Sequence, residues 1–242
     1  MSDIELIKKY VSADLHEEAI KKLNDGYPVQ YIIGNVDFYN CIINVNENVL
    51  IPRFETEYLV EKVLKYVKKM NIQEPNILEV GTGSGCISIA IKKEIKSNII
   101  AIDISKKAIE VAQINAKNNN VDITFISEDV HHYDTLNKFD LIISNPPYVP
   151  YDSEVDEKIK YEPQNAIFAL NNGIYFYDLI LKKFKKNLGD SYLIAFEIGD
   201  KQGYLIENLA HQHLENAYVQ IEKDYNDFER YVFITNNEEI FK

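Results

Sequence analysis

The sequence has few of the residues that build disulfide scaffolds and thiolate metal sites. It contains two cysteines, Cys41 and Cys86, and no tryptophan. The cysteines are far apart and form no CxxC pair, which excludes a disulfide framework and a cysteine-based zinc site. No apolar run approaches the roughly 18 residues that a membrane span requires. The first residues are neither basic nor apolar as in a signal peptide, so we expect a cytoplasmic protein without a membrane partner.

Basic residues are also scarce relative to acidic ones. The chain of 242 residues has 26 Lys and Arg against 38 Asp and Glu, a net charge of −12. Proteins that bind free nucleic acid usually show a basic footprint, so this balance disfavours nucleic acid as the principal partner. The lysine cluster at 182–186 is interpreted as a solvated helix face. A hydrophobic fraction of 46% is ample for a folded core.

The apolar pattern after Pro75 alternates between strands and helices. Near-continuous apolar strands separated by helices predict an α/β fold with a doubly wound, mainly parallel seven-stranded sheet. The last two strands lie too close in sequence for a parallel crossover, so they should form an antiparallel hairpin at the C-terminal edge. The predicted strands are 76–80, 98–103, 121–126, 139–144, 191–197, 217–223 and 230–235, and the helices are 85–95, 105–118, 174–187 and 201–213.

The region before Pro75 has a different pattern. Amphipathic spacing predicts a short helical segment over 1–35, and apolar residues around Asn-rich turns predict a β-hairpin linker over 36–51. A helix of about 15 residues after Pro52 then opens the main domain, 52–242. The long polar interval 149–172 is predicted to be a loop after a strand end, where α/β proteins usually build substrate contacts.

Closely spaced glycines follow the first strand of the main domain. Gly81, Gly83 and Gly85 allow a sharp turn into a helix and a close approach to a ligand. Asp103 ends the next strand and suits a ribose hydroxyl. A dinucleotide fingerprint would require glycine at position 86, which is cysteine here. Glu79 would repel a pyrophosphate but can accept a hydrogen bond from the amino group of S-adenosyl-L-methionine, so the sequence favours that cofactor.

The end of the third strand is open to two interpretations. Asp129 is placed to bond the adenine amino group of the cofactor, with Val130 packing near the ring. Both residues fit equally well as ordinary strand-end residues.

The segment Asn145, Pro146, Pro147 and Tyr148 follows the fourth strand. The prolines fix two φ angles and remove two N–H donors, so the local carbonyls remain available as acceptors. Asn145 adds a side-chain carbonyl, and Tyr148 adds an aromatic face for a sulfonium methyl. These groups predict a site that orients a planar NH₂ group for in-line methyl transfer. The five histidines are not spaced for a metal, and this chemistry needs none.

Several further segments occur in the order found in one enzyme family. With the glycine loop and the Asn-Pro-Pro-Tyr segment, the chain resembles the protein-(glutamine-N5) methyltransferases of bacterial peptide-chain release factors. The segments are 28–34 (Pro-Val-Gln-Tyr-Ile-Ile-Gly), Phe38, 50–57 (Leu-Ile-Pro-Arg-Phe-Glu-Thr-Glu), 161–166 (Tyr-Glu-Pro-Gln-Asn-Ala), 197–199 (Glu-Ile-Gly) with Gln202, and Asp224 with Arg230. The family usually begins with a multi-helix domain, so we expect a shortened N-terminal domain here.

The resemblance implies methyl transfer to the glutamine of the Gly-Gly-Gln loop of class 1 release factors. We separately expect the chain to be a monomer. Gly81, Thr82, Gly83, Ser84 and Gly85 would hold the methionine part of the cofactor. Asn145 to Tyr148 would hold the glutamine, with Asn145 also beside the cofactor. The segment around Arg53, Glu55 and Thr56 is expected near the active-site mouth, with an ion pair between Arg53 and Glu55 at a helix N-terminus as the alternative.

Two other functions remain as alternatives. The Asn-Pro-Pro-Tyr segment also occurs in adenine-N6 and guanine-N2 nucleic-acid methyltransferases, which the acidic charge disfavours. A chain that binds the cofactor without catalysis, as a regulatory or assembly factor, is the second alternative.

Overall fold

A computed structural model describes residues 1–155 and 157–242 of the chain. Short helices and a hairpin come first. Ser2 and Glu5 cap the first helix reciprocally, because each side chain accepts a hydrogen bond from the backbone N–H of the other. The N-terminal elements are α1 (Asp3–Tyr10), α2 (His16–Asn24), α3 (Val29–Ile33), β1 (Asn35–Phe38), β2 (Cys41–Asn44) and α4 (Phe54–Met70).

The hairpin is shorter than the sequence predicts. β1 and β2 pair antiparallel around a tight turn in which Tyr39 and Asn40 have positive φ. Residues 45–53 form no strand and lead to α4. The division of the chain at residues 35 and 51 stays a prediction.

The main domain alternates strands and helices. Its elements are β3 (Asn76–Val80), α5 (Cys86–Glu94), β4 (Asn98–Asp103), α6 (Lys106–Asn118), β5 (Thr124–Ser127), β6 (Phe139–Ser144), β7 (Val149–Pro150), β8 (Phe168–Ala169), α7 (Tyr175–Phe184), β9 (Leu188–Glu197), α8 (Gly203–His213), β10 (Tyr218–Lys223) and β11 (Glu229–Thr235). Short 3₁₀ turns lie at Ala13–Leu15, Glu157–Tyr161, Gln164–Ala166, Lys185–Asn187 and Glu238–Ile240.

Within the described residues the main sheet has seven strands, in the order β10, β11, β9, β6, β3, β4, β5. The pairs from β9 to β5 are parallel, whereas β11 runs antiparallel to both β9 and β10. The predicted α/β class, the mainly parallel sheet and the antiparallel edge hairpin are therefore confirmed.

Apolar residues cover both faces of this sheet. Neighbouring residues on one strand enter different core clusters, as Ile77 and Leu78 do on β3 and Leu141 and Ile142 do on β6. This alternation follows from the two-residue period of a strand. Helices therefore pack on both sides, as a doubly wound sheet requires. Of the helices that the structure describes, none has the length and apolar character needed to cross a membrane.

Several predicted boundaries were wrong for local reasons. Asn120 has positive φ and closes the end of α6, and the next residue still donates to that helix, so β5 begins at Thr124 and not at 121. Lys201 also has positive φ, so α8 begins at Gly203. The long interval after β6 contains the parallel pair of β7 and β8, which the sequence predicted to be loop.

Candidate active site

A cavity of about 260 Å³ lies at the carboxyl ends of β3, β4 and β6. These strands are neighbours in the sheet, so the segments that follow them meet at one edge. Ligands of open α/β sheets bind at this edge. The wall consists of the glycine loop, the end of β4, residues 128–131, residues 144–147, and parts of the segments 48–56 and 163–166.

The three loop glycines have different surroundings. All have positive φ, which L side chains rarely adopt. A Cβ added to Gly81 or Gly83 would meet nothing within 4 Å, so these residues face open space. A Cβ on Gly85 would lie 3.1 Å from the Cβ of Ala112. The first two glycines line the cavity, whereas Gly85 allows α5 and α6 to pack closely. Thr82 and Ser84 also contribute to the lining.

Asp103 fixes the shape of the glycine loop. Its Oδ2 accepts a hydrogen bond from the backbone N–H of Gly83, and its Oδ1 accepts one from Ser105, both at 2.8 Å. Burial raises the pKa of this carboxyl, and the two backbone N–H groups oppose the shift. Because Asp103 also lines the cavity, it lies where the sequence places the ribose contact.

Glu79 lies behind the loop, fully buried. Its Oε2 accepts hydrogen bonds from the hydroxyls of Thr82, at 2.7 Å, and Ser88. Its buried Oε1 has no hydrogen-bond partner among the described residues. Burial raises the pKa of Glu79 to about 7. Its neighbours Val80 and Gly81 form cavity wall, and Glu79 itself is not among the described lining residues.

Asp129 and Val130 both line the cavity. The Oδ1 of Asp129 accepts from the backbone N–H of His131 at 2.9 Å and lies 2.6 Å from the Nδ1 of the same histidine. Burial opposes ionisation of Asp129, but the contacts with His131 outweigh it and lower the pKa. The second ring nitrogen of His131 lies 2.6 Å from the hydroxyl of Tyr175. The geometry is compatible with both sequence interpretations.

Asn145 begins a chain of hydrogen bonds that leads away from the cavity. Its Nδ2 donates to the Thr56 hydroxyl at 3.2 Å, and that hydroxyl donates to Oε2 of Glu197 at 2.7 Å. The Tyr148 hydroxyl donates to Oε1 of Glu197 at 3.3 Å. Asn145, Pro146 and Pro147 line the cavity, whereas Tyr148 is not among the described lining residues. The Tyr148 ring packs against the core instead.

The mouth of the cavity joins two segments that are distant in sequence. Arg53 pairs with Glu162 at 2.6 Å, and the other oxygen of Glu162 accepts from the backbone N–H of Ile51 at 3.0 Å. The alternative of an ion pair between Arg53 and Glu55 was therefore wrong. Arg53 lines the cavity, and the backbone carbonyl of Glu55 accepts a hydrogen bond from Tyr231 at 2.7 Å.

The sequence places Thr56 near the active-site mouth, but it predicts no chemical role for Thr56, Glu162 or Glu197. All three lie in segments that carried the family resemblance. A usable signal existed for Glu197, because it ends a predicted strand at the same sheet edge as Asp103 and Asn145. Thr56 and Glu162 had no comparable local signal, since their partners lie more than 100 residues away.

The residues present fit S-adenosyl-L-methionine. The two glycines without a Cβ neighbour leave space at the loop, and the buried Oε1 of Glu79 has no hydrogen-bond partner among the described residues, so it can accept from an amino group. Acidic rather than basic groups flank the loop, as a cationic cofactor requires. The fold and this site together define a class I S-adenosylmethionine-dependent methyltransferase domain.

Comparisons with known proteins identify the family. The model of the methyltransferase small domain matches residues 56–162. A release factor glutamine methyltransferase of Fusobacterium nucleatum is 38% identical over 93% of this chain, which spans 65% of that protein. One of Lactococcus lactis is 39% identical over 86% of this chain, which spans 77% of it. The chain belongs to the release factor glutamine methyltransferase family.

The fold is also found in solved structures of other methyltransferases. The magnesium protoporphyrin IX methyltransferase of Synechocystis, solved with bound S-adenosylmethionine, superposes with a TM-score of 0.52 over 98% of both chains at 13% identity. At this identity the likeness shows the fold alone. The methyltransferase family and the residues of the site make S-adenosyl-L-methionine the cofactor of this chain.

Proposed function

We propose that the chain transfers a methyl group from S-adenosyl-L-methionine to N5, the side-chain amide nitrogen, of the glutamine in the Gly-Gly-Gln loop of class 1 release factors. The observation that carries this proposal is that Asn145, Pro146 and Pro147 share one cavity with the glycine loop. The names of the relatives support the release factor as substrate.

Each predicted cofactor residue receives a proposed role from its position. Gly81 to Ser84 hold the methionine part, and the Oε1 of Glu79 accepts from its amino group. Asp103 holds the ribose, while Asp129 and Val130 contact the adenine. Gly85 contributes indirectly, because it lets α5 pack against α6 and so sets the position of the loop.

The substrate side is proposed to work by orientation. An amide nitrogen is a weak nucleophile because its lone pair is delocalised into the carbonyl. Acceptors that hold both N–H groups turn that lone pair in one direction, and Asn145 Oδ1 with a backbone carbonyl of Pro146 would supply them. When bound, the cofactor supplies a methyl group on a positively charged sulfur. Tyr148 serves by holding this segment through Glu197.

A label-transfer assay tests the proposal. Purified chain, methyl-labelled cofactor and a class 1 release factor should give label in the release factor, and a variant with alanine in place of the Gly-Gly-Gln glutamine should take up none. Equal label in both proteins would contradict the substrate assignment. Labelled adenine or guanine in added RNA or DNA would favour the nucleic-acid alternative, and cofactor binding without any product would favour the non-catalytic one.

The partner and the setting follow from the same proposal. The chain acts on a protein in the cytoplasm, as a monomer, without free nucleic acid as a partner. The net charge of −12 supports a protein substrate. Light scattering of the purified chain, alone and with the release factor, should show one copy of each; a dimer at working concentrations would contradict the monomer.

A further inference from the structure

Donor and acceptor roles are fixed along the hydrogen bonds that run from Asn145 through Thr56 to Glu197. Glu197 ends β9 and is 1% exposed, and Thr56 in the first turn of α4 is 2% exposed. Thr56 forms part of the cavity wall, whereas Glu197 is not among the described lining residues and both of its oxygens have protein partners. The direction of the Thr56 hydroxyl proton is therefore decided inside the protein.

An ionised carboxylate can only accept hydrogen bonds. The Thr56 hydroxyl has a single proton, which it donates to Glu197 at 2.7 Å. It can then only accept from Asn145, and the NH₂ group is the sole donor of an asparagine side chain. The NH₂ group of Asn145 consequently faces Thr56 at 3.2 Å. The Oδ1 atom is left for the cavity, which Asn145 lines.

We propose that Glu197 is a positioning residue that acts through Thr56 to hold Asn145 with its Oδ1 toward the cavity, so that the site selects glutamine over glutamate. The proposal rests on the proposed function, because it assumes that a side-chain amide enters the cavity. A glutamine offers two N–H donors to Oδ1, whereas a glutamate carboxylate offers none. An acceptor facing a carboxylate loses a hydrogen bond and adds repulsion.

The direction reverses if Glu197 takes up a proton. A protonated carboxyl can donate to Thr56, whose proton is then free to turn to Asn145 and rotate its amide. Burial raises the pKa of Glu197 to about 7, so this protonation occurs within a pH range in which the rate can be measured. The charged and titratable groups that face Glu197 are Glu55, Cys86, Tyr148, Tyr177, Arg230 and Tyr231.

Variants of Thr56 provide the main test. Thr56→Val keeps the shape but has no hydroxyl, so Asn145 loses its orienting partner. We expect the single-turnover rate to fall about tenfold to 100-fold, with the Kd for the cofactor unchanged. Thr56→Ser restores the hydroxyl and should recover most of the lost rate. Equal rates in wild type and Thr56→Val, or equal losses in both variants, would overturn the proposal.

The preference for glutamine over glutamate provides a second measurement, which a change in packing alone would not alter. Isothermal titration with S-adenosylhomocysteine present would give the Kd of the normal release factor and of a variant with glutamate in place of the Gly-Gly-Gln glutamine. The ratio of the two Kd values should fall at least about tenfold in Thr56→Val, because a site that bonds a donor group strongly rejects an analogue without it. An unchanged ratio would overturn the proposal.

The pH profile keeps the test independent of how Thr56→Val folds. At saturating cofactor the wild-type rate should drop as pH falls through about 7, and Glu197→Gln, which cannot titrate, should lose this acid limb. A limb that persists in Glu197→Gln would overturn the proposal. Failure of the wild type to methylate any release factor would instead contradict the proposed function.

Discussion

Two buried glutamates lie on the strands that flank β6, which ends directly before Asn145, and they differ in one respect. Glu79 on β3 and Glu197 on β9 are both hidden from solvent, and burial raises the pKa of each to about 7. Each bonds a threonine hydroxyl. Both oxygens of Glu197 are partnered, whereas one oxygen of Glu79 has no partner among the described residues.

This difference separates two uses of a buried carboxylate. A carboxylate with all its partners inside the protein can hold neighbouring side chains in one arrangement. A carboxylate that lacks a partner carries a desolvation cost that a bound donor can offset. We therefore associate Glu197 with the orientation of the substrate segment and Glu79 with the binding of a cationic group. A variant of one glutamate should therefore affect either the substrate segment or cofactor binding, and leave the other unchanged.

The largest expected effect comes from Asn145→Ala. Removing the proposed acceptor should raise the barrier to methyl transfer by about 2 to 4 kcal/mol, as for the loss of one positioned transition-state hydrogen bond. The fold and the Kd for the cofactor should be nearly unchanged. Single-turnover kinetics with a release factor measure the rate of methyl transfer, and calorimetry measures the Kd for the cofactor. Asn98→Ala is the matched control, because this exposed asparagine lies at the amino end of β4, opposite the end that carries the cavity. An undiminished rate in Asn145→Ala would exclude the proposed role.

The next effect is a pH dependence of stability. In the folded chain the pKa of Glu79 lies at about 7, above its ordinary value of 4.5. Between these values the folded state binds more protons than the unfolded state, so the free energy of unfolding falls as pH rises through this window. Below pH 4.5 Glu79 is protonated in both states and does not change the free energy of unfolding. Above about pH 7 it is ionised in both states, and the folded chain carries the full cost of the buried charge. Glu79→Gln does not titrate.

Urea unfolding of the cofactor-free proteins at pH 5 and pH 8 measures this effect. The stability of Glu79→Gln relative to wild type should increase by about 2 to 3 kcal/mol between the two values. The slope that Glu197 contributes is common to both proteins and cancels in the difference. If the free energies of unfolding of the two proteins change with pH in parallel, the pKa of Glu79 is not raised in the folded chain.

A smaller effect is expected on cofactor affinity. Glu79→Gln replaces a charged acceptor for the amino group. The Kd for S-adenosyl-L-methionine should therefore rise, with a loss of about 1.5 to 3 kcal/mol in binding free energy at pH 8. Glu197→Gln, the matched change on the other side of β6, should leave that Kd within about a factor of two. Titration calorimetry distinguishes the two variants. Equal weakening in both would contradict the assignment of the two glutamates to different ligands.

The sequence predicted the parts of this site that depend on local pattern. The spans of β3, β4 and β6 were correct, because short apolar runs between turn residues specify buried strands. The glycine loop and Asp103 were found for the same reason: they follow those strands directly. Asn145 and the two prolines were recognised as one segment and lie at the cavity together.

The contacts between distant segments could not be predicted in this way. Thr56 and Glu197 are 141 residues apart, and Arg53 and Glu162 are 109 apart. Such pairs follow from how α4 and the loop after β6 pack on the sheet, which no local pattern encodes. The orientation of Tyr148 was missed for the same reason, since its hydroxyl partner lies 49 residues further along the chain.

The smallest expected effect concerns the mouth of the cavity, away from both glutamates. In Arg53→Gln the carboxylate of Glu162, which is 3% exposed, loses its cation but still accepts from Ile51. Because Arg53 is 37% exposed, we expect a loss of about 1 kcal/mol in the free energy of unfolding. Since this ion pair joins the segment before α4 to the loop after β6, the KM for the release factor should rise while the cofactor Kd stays the same.

A matched control separates this effect from the simple loss of a positive charge. Lys96→Gln breaks an ion pair with Glu74 whose partners are 77% and 47% exposed. Exposed pairs contribute little because water and salt screen them, so this change should cost under about 0.5 kcal/mol and leave the KM unaltered. If Arg53→Gln and Lys96→Gln behave alike in chemical unfolding and in kinetics, the ion pair at the mouth does not hold the two segments. The hydrogen bond from the backbone N–H of Ile51 to the Glu162 carboxylate would then be the contact that joins these segments.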